Sequence, residues 1–384
     1  MRLAANGRND DTFRAPTWTT SGVRLGQITA APDGSVLALF FGQRGRRGVI
    51  RFDPSGAYDP DFAAELGDAT SQITDLYPLP DGQLLAFGSF TSIGGVAQPY
   101  LARLTPNTRA GATHLGNLSV RSVAGTGAAT LAAGYISSGG NTTVLARAAG
   151  PALAQFGVAN PLADPRLALF QGAAVVATND NWSAEPDNLI ASTASRLSAF
   201  PFPIGSRDAA LIATTPAGAR TVQVTGGELL PGVALLELYH AGTAPVSARS
   251  PRFTNFSARS STGNGSETLI AGFTLNGDSS RNVLIRAAGP ALTKFGVSGA
   301  LADPVLTLFR GSTVVARNDQ WEDGTAEDVF LRREAVAATG AFPFDAAAKD
   351  SALVVTLPPG QYTAHVTGTG NSTGIALVEF YEVP

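Results

Sequence analysis

A long segment of this chain occurs twice. Residues 144–182 read VLARAAGPALAQFGVANPLADPRLALFQGAAVVATNDNW, and residues 283–321 read VLIRAAGPALTKFGVSGALADPVLTLFRGSTVVARNDQW, at a constant offset of 139 residues. A duplication of this length indicates a module that folds as a unit and is used more than once. The fold must therefore accommodate two copies of one module.

The repeated module is longer than the segment that first reveals it. Both copies begin with related sequences, NLSVRSV and NFSARSS, and both end with related sequences, GVALLELY and GIALVEFY. These limits predict one module at 113–242 and a second at 254–384, joined by a linker at 243–253 that contains proline and serine. Because the linker is short, we expect the two modules to form a semi-rigid rod.

Each module is predicted to be a β-sandwich with a short helical insertion. Runs rich in β-branched and aromatic residues recur every 8–15 residues between turn signals, which is typical of sandwiches. The Pro-Ala-Leu segment at 151–156 predicts one helical turn, and helix-forming residues at 185–200 and 325–342 predict longer insertions. The strands predicted in the first module are 130–135, 143–147, 166–170, 173–178, 209–214, 219–225 and 234–239, with counterparts in the second.

The first 112 residues contain a different and shorter repeat. A Pro-Asp-Gly turn at 32–34, followed by a β-rich run, recurs at 80–82 with a period of about 50 residues. Several short strands at this period predict propeller blades. The opening residues also match later ones at an offset of 49, so we expect the chain to start within a repeat and to continue a longer protein. The matched positions are Arg2, Gly7, Asp10 and Phe13 with Arg51, Gly56, Asp59 and Phe62.

These N-terminal motifs resemble the bacterial delta-60 repeat, a family predicted to form β-propellers. The resemblance rests on Pro80-Asp81-Gly82, on the Phe-Gly-Ser-Phe run at 87–90 and on the Asp-Pro-Ser-Gly turn at 53–56. The first copy departs from the pattern because Phe-Phe-Gly-Gln stands at 40–43. The resemblance implies extracytoplasmic repeat architecture and no catalytic residues.

The two modules resemble a tandem repeat of large surface and secreted proteins of Verrucomicrobia-type bacteria. That resemblance rests on the pattern VLIRAxGPxLxxFGVxGxLADPxLxL followed by NDxW, present in both copies. Part of the same segment is similar, more loosely, to the bacterial pre-peptidase C-terminal β-sandwich. Both resemblances imply an accessory module and a secreted or cell-surface location. The predicted fold class is therefore all-β, with partial propeller-like repeats followed by two tandem β-sandwich domains.

Composition excludes several classes of function. The formal net charge is −3, which gives no reason to propose a nucleic-acid partner. The sequence has no run of about 18 apolar residues, so no membrane span is predicted. It also has no apolar segment near the N-terminus that would indicate a signal peptide. The absence of cysteine excludes disulfides, thiolate metal sites and cysteine nucleophiles.

A polar loop is the strongest candidate for ligand binding. Carboxylate and amide oxygens follow a predicted strand in both modules, and oxygen ligands of this kind suit Ca²⁺. The alternative is a turn in which these side chains bond backbone amides while a tryptophan covers the edge of the core. The candidate ligands are Asn179, Asp180 and Asn181 in the first module and Asn318, Asp319 and Gln320 in the second.

Charged residues retained in both copies predict an ion pair within each module. Arg147 and Arg286 end apolar strands and need partners if they are buried. The candidate partners are Asp164 and Asp303, or alternatively Glu237 and Glu379. Two further aspartates, Asp208 and Asp350, precede a strand in both copies and are predicted to serve a turn, with a contribution to the Asn-Asp loop if the two segments meet.

The remaining candidates are aromatic residues and histidines. Trp182 and Trp321 are candidates for stacking on glycans, although a tryptophan that seals the edge of a sandwich is the competing interpretation. The histidines at 114, 240 and 365 do not recur between the modules. They therefore lack the companions that a zinc site or a Ser-His-Asp triad requires.

The duplication and the lack of a catalytic set together favour a non-enzymatic protein. We expect an extracellular or cell-surface structural or adhesive repeat protein that associates with itself into a fibre or surface assembly, or binds other surface proteins and glycans. The alternative is a Ca²⁺- or carbohydrate-binding accessory region of a larger secreted enzyme.

Overall fold

The chain divides into two compact units, Met1–Ala110 and Gly111–Pro384. The computed structural model describes residues 24–31, 34–41, 47–66, 72–79, 84–93, 96–104, 113–125, 130–184, 188–226, 231–243, 250–263, 265, 268–277 and 280–383. Both units consist of β-strands, and the described short helices lie in the C-terminal unit, which confirms the all-β prediction. The half-repeat at 2–13 and the Pro80-Asp81-Gly82 turn lie outside the described residues.

The N-terminal unit contains small antiparallel sheets, as expected of propeller-like repeats. One sheet has the strand order β1-β2-β3-β4, another has the order β5-β6-β9, and β7 pairs with β8. Leu37, Leu39 and Val49 of the first sheet share a core with Leu76 and Leu84 of the second. The strands are β1 (Arg24–Ala30), β2 (Val36–Phe41), β3 (Arg47–Phe52), β4 (Tyr58–Glu65), β5 (Ile73–Pro78), β6 (Leu84–Gly88), β7 (Ser92–Ile93), β8 (Val96–Ala97) and β9 (Leu101–Leu104).

The Asp-Pro-Ser-Gly motif of this unit forms the turn between β3 and β4. The Asp53 carboxylate accepts hydrogen bonds from the amides of Ser55 at 2.9 Å and Ala57 at 3.0 Å. Gly56 has a φ of 91°, a conformation that favours glycine. These contacts give the motif a structural role in ending one strand and starting the next.

The later motif positions in the same repeat also stabilise the sheet. Arg51 donates from Nε to the Asp59 carboxylate at 2.7 Å, and its guanidinium carbon lies 5.4 Å from the centre of the Phe62 ring. Asp59 and Phe62 are 3% and 4% exposed. In this copy of the repeat, the motif positions therefore form an ion pair beside an aromatic ring.

The first module of the C-terminal unit contains all seven predicted strands and an eighth strand before them. This additional strand, β10, precedes the predicted set and begins at a histidine. The strands are β10 (His114–Ala124), β11 (Leu131–Ser138), β12 (Thr142–Ala149), β13 (Pro165–Gln171), β14 (Ala174–Asn179), β15 (Ala209–Thr215), β16 (Gly218–Gly226) and β17 (Gly232–His240).

The second module repeats this order strand for strand, as the duplication predicts. Its first strand, β18, starts within the range assigned from sequence to the linker. The strands are β18 (Arg252–Thr262), β19 (Leu269–Asn276), β20 (Arg281–Ala288), β21 (Pro304–Arg310), β22 (Thr313–Asn318), β23 (Ser351–Leu357), β24 (Gly360–Gly368) and β25 (Gly374–Glu382).

The helical insertions also occur at the predicted places. The helices α1 (Leu189–Arg196) and α2 (Ala326–Thr339) lie within the predicted ranges, and the short turn at Pro151–Phe156 is a 3-10 helix. In α2 the Thr325 side chain accepts from the Asp328 amide, and Asp328 accepts from the Thr325 amide in return. Among the described residues, no helix is long and apolar enough to cross a membrane.

Two long sheets run through both modules. One follows the order β15-β12-β17-β10-β19-β24-β21-β22, and the other follows β23-β20-β25-β18-β11-β16-β13-β14. Each sheet takes four strands from each module, and the two sheets meet at the bridge between Leu115 and Phe253. The modules are thus joined edge to edge by backbone hydrogen bonds.

The two modules share one hydrophobic core. Leu118 and Val120 of the first module belong to the same buried cluster as Phe256, Phe273 and Phe380 of the second. Gly111–Pro384 accordingly forms one compact unit. The short linker predicted from the sequence is therefore not the only connection between the modules, because strand pairing and a shared core also join them.

Candidate functional site

The residues retained in both modules gather around a buried arginine. Arg147 lies on β12 and is 1% exposed. Its Nη1 lies 2.9 Å from the Glu237 carboxylate, and its Nη2 donates to the Phe200 carbonyl at 2.5 Å. The guanidinium carbon lies 4.7 Å from the centre of the Phe200 ring and 4.0 Å from that of Phe202. The arginine therefore holds the segment Ala-Phe-Pro-Phe at 199–202 against the sheet.

The second module builds the same cluster. Arg286 is 0% exposed, lies 3.3 Å from Glu379 through Nε and donates from Nη1 to the Phe342 carbonyl at 2.6 Å. Its guanidinium carbon lies 4.2 Å and 4.0 Å from the ring centres of Phe342 and Phe344. Cation–π contacts of this kind contribute about 0.5–2 kcal/mol each. The agreement between the copies indicates that the cluster is a built element of the module.

Burial dominates the protonation chemistry of these pairs. Desolvation raises the pKa of Glu237 although the Arg147 charge opposes the shift, and it raises the pKa of Glu379 against Arg286 in the same way. Each glutamate also accepts a hydrogen bond from a tyrosine hydroxyl, Tyr239 or Tyr381, at 2.7 Å. Burial and the neighbouring glutamate raise the pKa of both tyrosines. A buried ion pair of this type fixes geometry at a cost in desolvation.

The ion pairs use the glutamates and not the aspartates. Arg147 stands directly opposite Glu237 in the register of β12 and β17, and Arg286 stands opposite Glu379 in β20 and β25. The expected pairing with Asp164 and Asp303 is therefore corrected in favour of the alternative pair of carboxylates. Cross-strand partners are set by sheet register, which brings together residues about 90 positions apart in the sequence.

The two aspartates contact other cations. Asp164 lies 3.9 Å from Arg207, whose side chain is 64% exposed, and Asp303 accepts from Lys349 at 2.8 Å. A surface pair of this kind contributes little to stability.

The aspartates before β15 and β23 hold the Gly-Pro turn that follows each arginine strand. Asp208 accepts from the Gly150 amide at 2.7 Å and the Ala152 amide at 3.1 Å. Asp350 accepts from Gly289 at 2.7 Å and Ala291 at 3.2 Å in the second module. Both carboxylates are 0% exposed, and they satisfy amides at the start of a 3-10 helix.

The two copies differ in the second carboxylate oxygen. In the first module, the Ser206 hydroxyl donates to Asp208 Oδ2 at 2.6 Å. The equivalent position in the second module is Ala348, and Asp350 Oδ2 is buried with no hydrogen-bond partner. Burial raises the pKa of Asp350, while the amides of Gly289 and Ala291 oppose the shift.

An Ala348→Ser substitution is expected to stabilise the chain by about 1 kcal/mol, because it supplies the missing hydroxyl donor to Asp350. The raised pKa of Asp350 means that its stabilising contribution is present at low pH and is lost as pH rises through the folded-state pKa. A donor to the ionised form reverses part of that loss, so the gain should be largest at neutral pH. Urea unfolding at pH 4 and pH 7 measures the gain in unfolding free energy. Ser206→Ala, which removes the equivalent donor to Asp208, is the reciprocal control. A destabilised Ala348→Ser chain would contradict the prediction.

The Asn-Asp loop is tied to the next strand through its first asparagine. Asn179 Oδ1 accepts from the Ala210 amide at 3.0 Å, and its Nδ2 donates to the Asn181 carbonyl at 3.2 Å. Asn318 makes the equivalent bonds with the Ala352 amide at 2.9 Å and the Gln320 carbonyl at 2.7 Å. These bonds match the turn that was the alternative to a calcium site.

The other expected calcium ligands are arranged around that turn. Asp180 accepts from Asn181 Nδ2 at 3.1 Å, and Asp319 is half-buried. Two carboxylates that follow this loop in the sequence, Glu185 and Asp187, lie outside the described residues. Within the part of the chain that the structure describes, no group of three or more His, Asp or Glu side chains is placed to hold a metal ion.

The tryptophans seal the module edge. Trp321 is 7% exposed and donates from Nε1 to the Asp345 carbonyl at 2.9 Å. Trp182 is half-buried, donates to Ser206 Oγ at 3.2 Å and packs edge-on against Phe202 with ring centres 6.0 Å apart. Trp321 therefore presents no ring face for stacking on a glycan, which corrects the expectation for that residue: the phenylalanine segment and α2 cover it.

In each module the Asn-Asp loop contacts the aspartate that precedes the next strand, Asp208 or Asp350. The Trp182 amide donates to the Asp208 carbonyl at 2.8 Å, and the Trp321 amide donates to the Asp350 carbonyl at 2.7 Å. The role of the phenylalanines was not predicted from the sequence, although the Ala-Phe-Pro-Phe run occurs in both modules, at 199–202 and at 341–344. Together, the described contacts hold loops on a sheet. They leave the guanidinium groups of Arg147 and Arg286 buried and inaccessible to a ligand.

Comparison with known proteins bears on the N-terminal unit only. Residues 79–107 match a family model described as a domain of unknown function (DUF5122) beta-propeller. The matched range includes β6 to β9 and part of the motif that carries the delta-60 resemblance. No curated protein matches the chain.

Proposed function

We propose that this chain is a non-enzymatic structural repeat protein of the cell surface or the extracellular space, which associates with copies of itself or with other surface proteins and glycans. The observation that carries the proposal is the use of the duplicated polar residues. In both modules these residues make ion pairs and hydrogen bonds to other parts of the fold. In the first module they are Arg147, Glu237, Asp208 and Asn179. A repeated module whose retained buried polar residues bond parts of its own fold together is suited to a scaffold.

The proposed location is supported by the resemblances of both units. The delta-60 repeat and the tandem surface-protein module each imply an extracytoplasmic protein, and the beta-propeller match lies in the first of these regions. The absence of cysteine is compatible with many compartments and carries no weight.

The location and the assembly can be tested together in the source organism. Antibodies raised against the Gly111–Pro384 unit should label intact cells or detect the protein in the culture medium, and immunogold electron microscopy should show it in extended or clustered assemblies. A signal that appears only after lysis, with a cytoplasmic marker as control, would overturn the proposed location.

Chelation is expected to leave the stability of the chain unchanged. Asn179 Oδ1 and Asn318 Oδ1, two of the oxygens expected to bind Ca²⁺, already accept backbone amides. Thermal unfolding in EDTA and in millimolar CaCl₂ should give the same midpoint, because calcium raises the midpoint only if it binds the native state in preference to the unfolded state. A higher midpoint in calcium, lost in an Asp180→Asn and Asp319→Asn double variant, would favour the accessory-region alternative instead.

A further inference from the structure

The contact between the two modules is symmetric. Strand β10 pairs with β19 so that Ser119 stands opposite Gly272, and β18 pairs with β11 so that Ser257 stands opposite Gly134. These are equivalent positions with the modules exchanged, at an offset of 138 residues. Leu115 likewise bridges to Phe253, its own equivalent. The modules therefore meet as the two halves of a twofold dimer meet, with the same surface used on both sides.

Small residues make the close approach possible. A Cβ atom on Gly134 would lie 2.5 Å from Ser257 Oγ, and one on Gly272 would lie 2.7 Å from Ser119 Oγ. Ser122 and Ser260 are equivalent positions that contact each other, so they lie at the twofold axis relating the modules. Their hydroxyl oxygens are buried and 2.7 Å apart. The surface is thus shaped for a second copy of the same module.

An unpaired module would expose two strand edges at once. One edge of β10 pairs with β17 in its own module, and its other edge pairs with β19 of the second module. Strand β11 pairs on one side with β16 and on the other with β18. Open edges of this kind pair readily with another chain. Each module consequently needs a partner module to pair these two strand edges.

One contact favours a second module as the partner of a first module. The Leu115 amide donates to the Glu382 carboxylate at 2.9 Å, and the same carboxylate lies 3.1 Å from Arg281. The position equivalent to Glu382 in the first module is His240. A pair of two first modules would lose this charged acceptor, so a second module is the better partner for a first module.

We propose that the modules are exchanged between chains: the first module of one copy pairs with the second module of another copy through the same two strand ladders. This rests on the proposed self-association and names the surface that performs it. The linker at 243–251 gives the intramolecular partner a high effective concentration, so single chains close on themselves when dilute. Crowding of chains shifts the balance toward closed dimers or open strings of chains.

The absence of cysteine from the chain allows a direct test. Ser122→Cys and Ser260→Cys place two thiols where the hydroxyls lie 2.7 Å apart, within reach of a disulfide. Chains carrying both substitutions, and an equimolar mixture of chains carrying one each, are unfolded in guanidinium chloride and refolded over a range of protein concentrations in a glutathione redox buffer. Non-reducing gels then separate monomers from disulfide-linked dimers.

The double variant should form an internal disulfide at low concentration, and the mixture should form a linked dimer whose yield rises with concentration. Ser122→Cys alone should give less dimer than the mixture, because two first modules lack the Glu382 acceptor, and Ser260→Cys alone measures the pairing of two second modules. A mixture of Ser192→Cys and Ser260→Cys chains measures accidental linkage, because Ser192 is exposed on α1.

Two results would overturn the proposal. If the double variant closes its disulfide but the mixture gives no more dimer than the Ser192→Cys control at any concentration, the modules do not exchange. If the double variant fails to close, the contact itself is wrong. Neither result decides whether the protein is displayed at the cell surface, so labelling of intact cells tests the proposed function separately.

Discussion

An Arg147→Met chain should lose about 3–5 kcal/mol of unfolding free energy at neutral pH, because removing one partner of a buried ion pair leaves an uncompensated charge. Glu237, 5% exposed, would keep only the Tyr239 hydroxyl as a polar partner among the contacts described for its carboxylate. The Phe200 carbonyl and the rings of Phe200 and Phe202 would also lose the guanidinium. Urea unfolding followed by circular dichroism measures the loss.

The loss should depend on pH. Desolvation already raises the pKa of Glu237, with Arg147 opposing it, so removal of the arginine raises that pKa further. A carboxyl whose folded-state pKa is raised contributes stability at low pH that is lost as pH rises through the folded-state pKa. Arg147→Met should therefore be least damaging in acid and most damaging at neutral pH.

Two matched variants control this result. Arg286→Met should reproduce the loss in the second module, where Glu379 is the buried partner. Adding Glu237→Gln to Arg147→Met should recover part of the lost stability, since the neutral amide needs no counter-charge. A loss below about 1 kcal/mol in both single variants would place these pairs with surface salt bridges in energetic terms.

A Gly150→Ala chain is expected to lose more than about 3 kcal/mol, because a Cβ atom there would lie 2.1 Å from the Leu162 carbonyl oxygen. The obstructing atom belongs to the backbone, and the Gly150 amide is held by Asp208, so neither side of the contact can move freely. Gly289→Ala should behave alike, since its Cβ would lie 2.1 Å from the Leu301 carbonyl oxygen. Thermal unfolding of the purified variants provides the measurement.

Gly157→Ala is the control for the glycine effect. Nothing lies within 4 Å of a Cβ at Gly157, and its φ of 70° costs an alanine about 1–2 kcal/mol. It ends the same 3-10 helix that Gly150 precedes, so the two variants differ mainly in the backbone clash. Equal losses for Gly150→Ala and Gly157→Ala would show that the close approach at Leu162 is relieved at little cost.

Elements with local signals were predicted well from the sequence. The strands at 166–170 and 173–178 flank a turn at Gly172, whose φ is 59°, and both were found with nearly the same limits. The 3-10 helix at Pro151–Phe156 starts at a proline, and α2 starts after the Thr325 cap. In each case, the residues that decide the conformation lie within a few positions of one another.

The pairing between modules could not be predicted in this way. Gly134 and Ser257 read as ordinary residues of alternating strands, and their significance appears only when β11 and β18 are placed side by side. Ladders are formed by backbone groups that every sequence carries. The same limit explains why Arg147 and Arg286 were first matched with aspartates. The residues next to an arginine in the sequence do not determine which residue stands opposite it in the sheet.

The polar loop shows a different limit. The sequence marked Asn179 and Asn318 correctly as equivalent polar positions, and left open whether their oxygens face a cation or a backbone amide. The structure gives the amides of Ala210 and Ala352 as partners. Residue type alone does not distinguish the two outcomes, because both use the same acceptor atom.

When a twofold contact lies within one chain, the two halves of the contact need not have the same sequence. In a homodimer every substitution occurs on both sides of the axis, so a change that suits only one side is unavailable. Here the second module has Arg252 and Glu382, 3.4 Å apart, at the positions where the first has His114 and His240. One half therefore carries an ion pair and the other carries imidazoles, a difference that is possible because the two halves are separate stretches of one sequence.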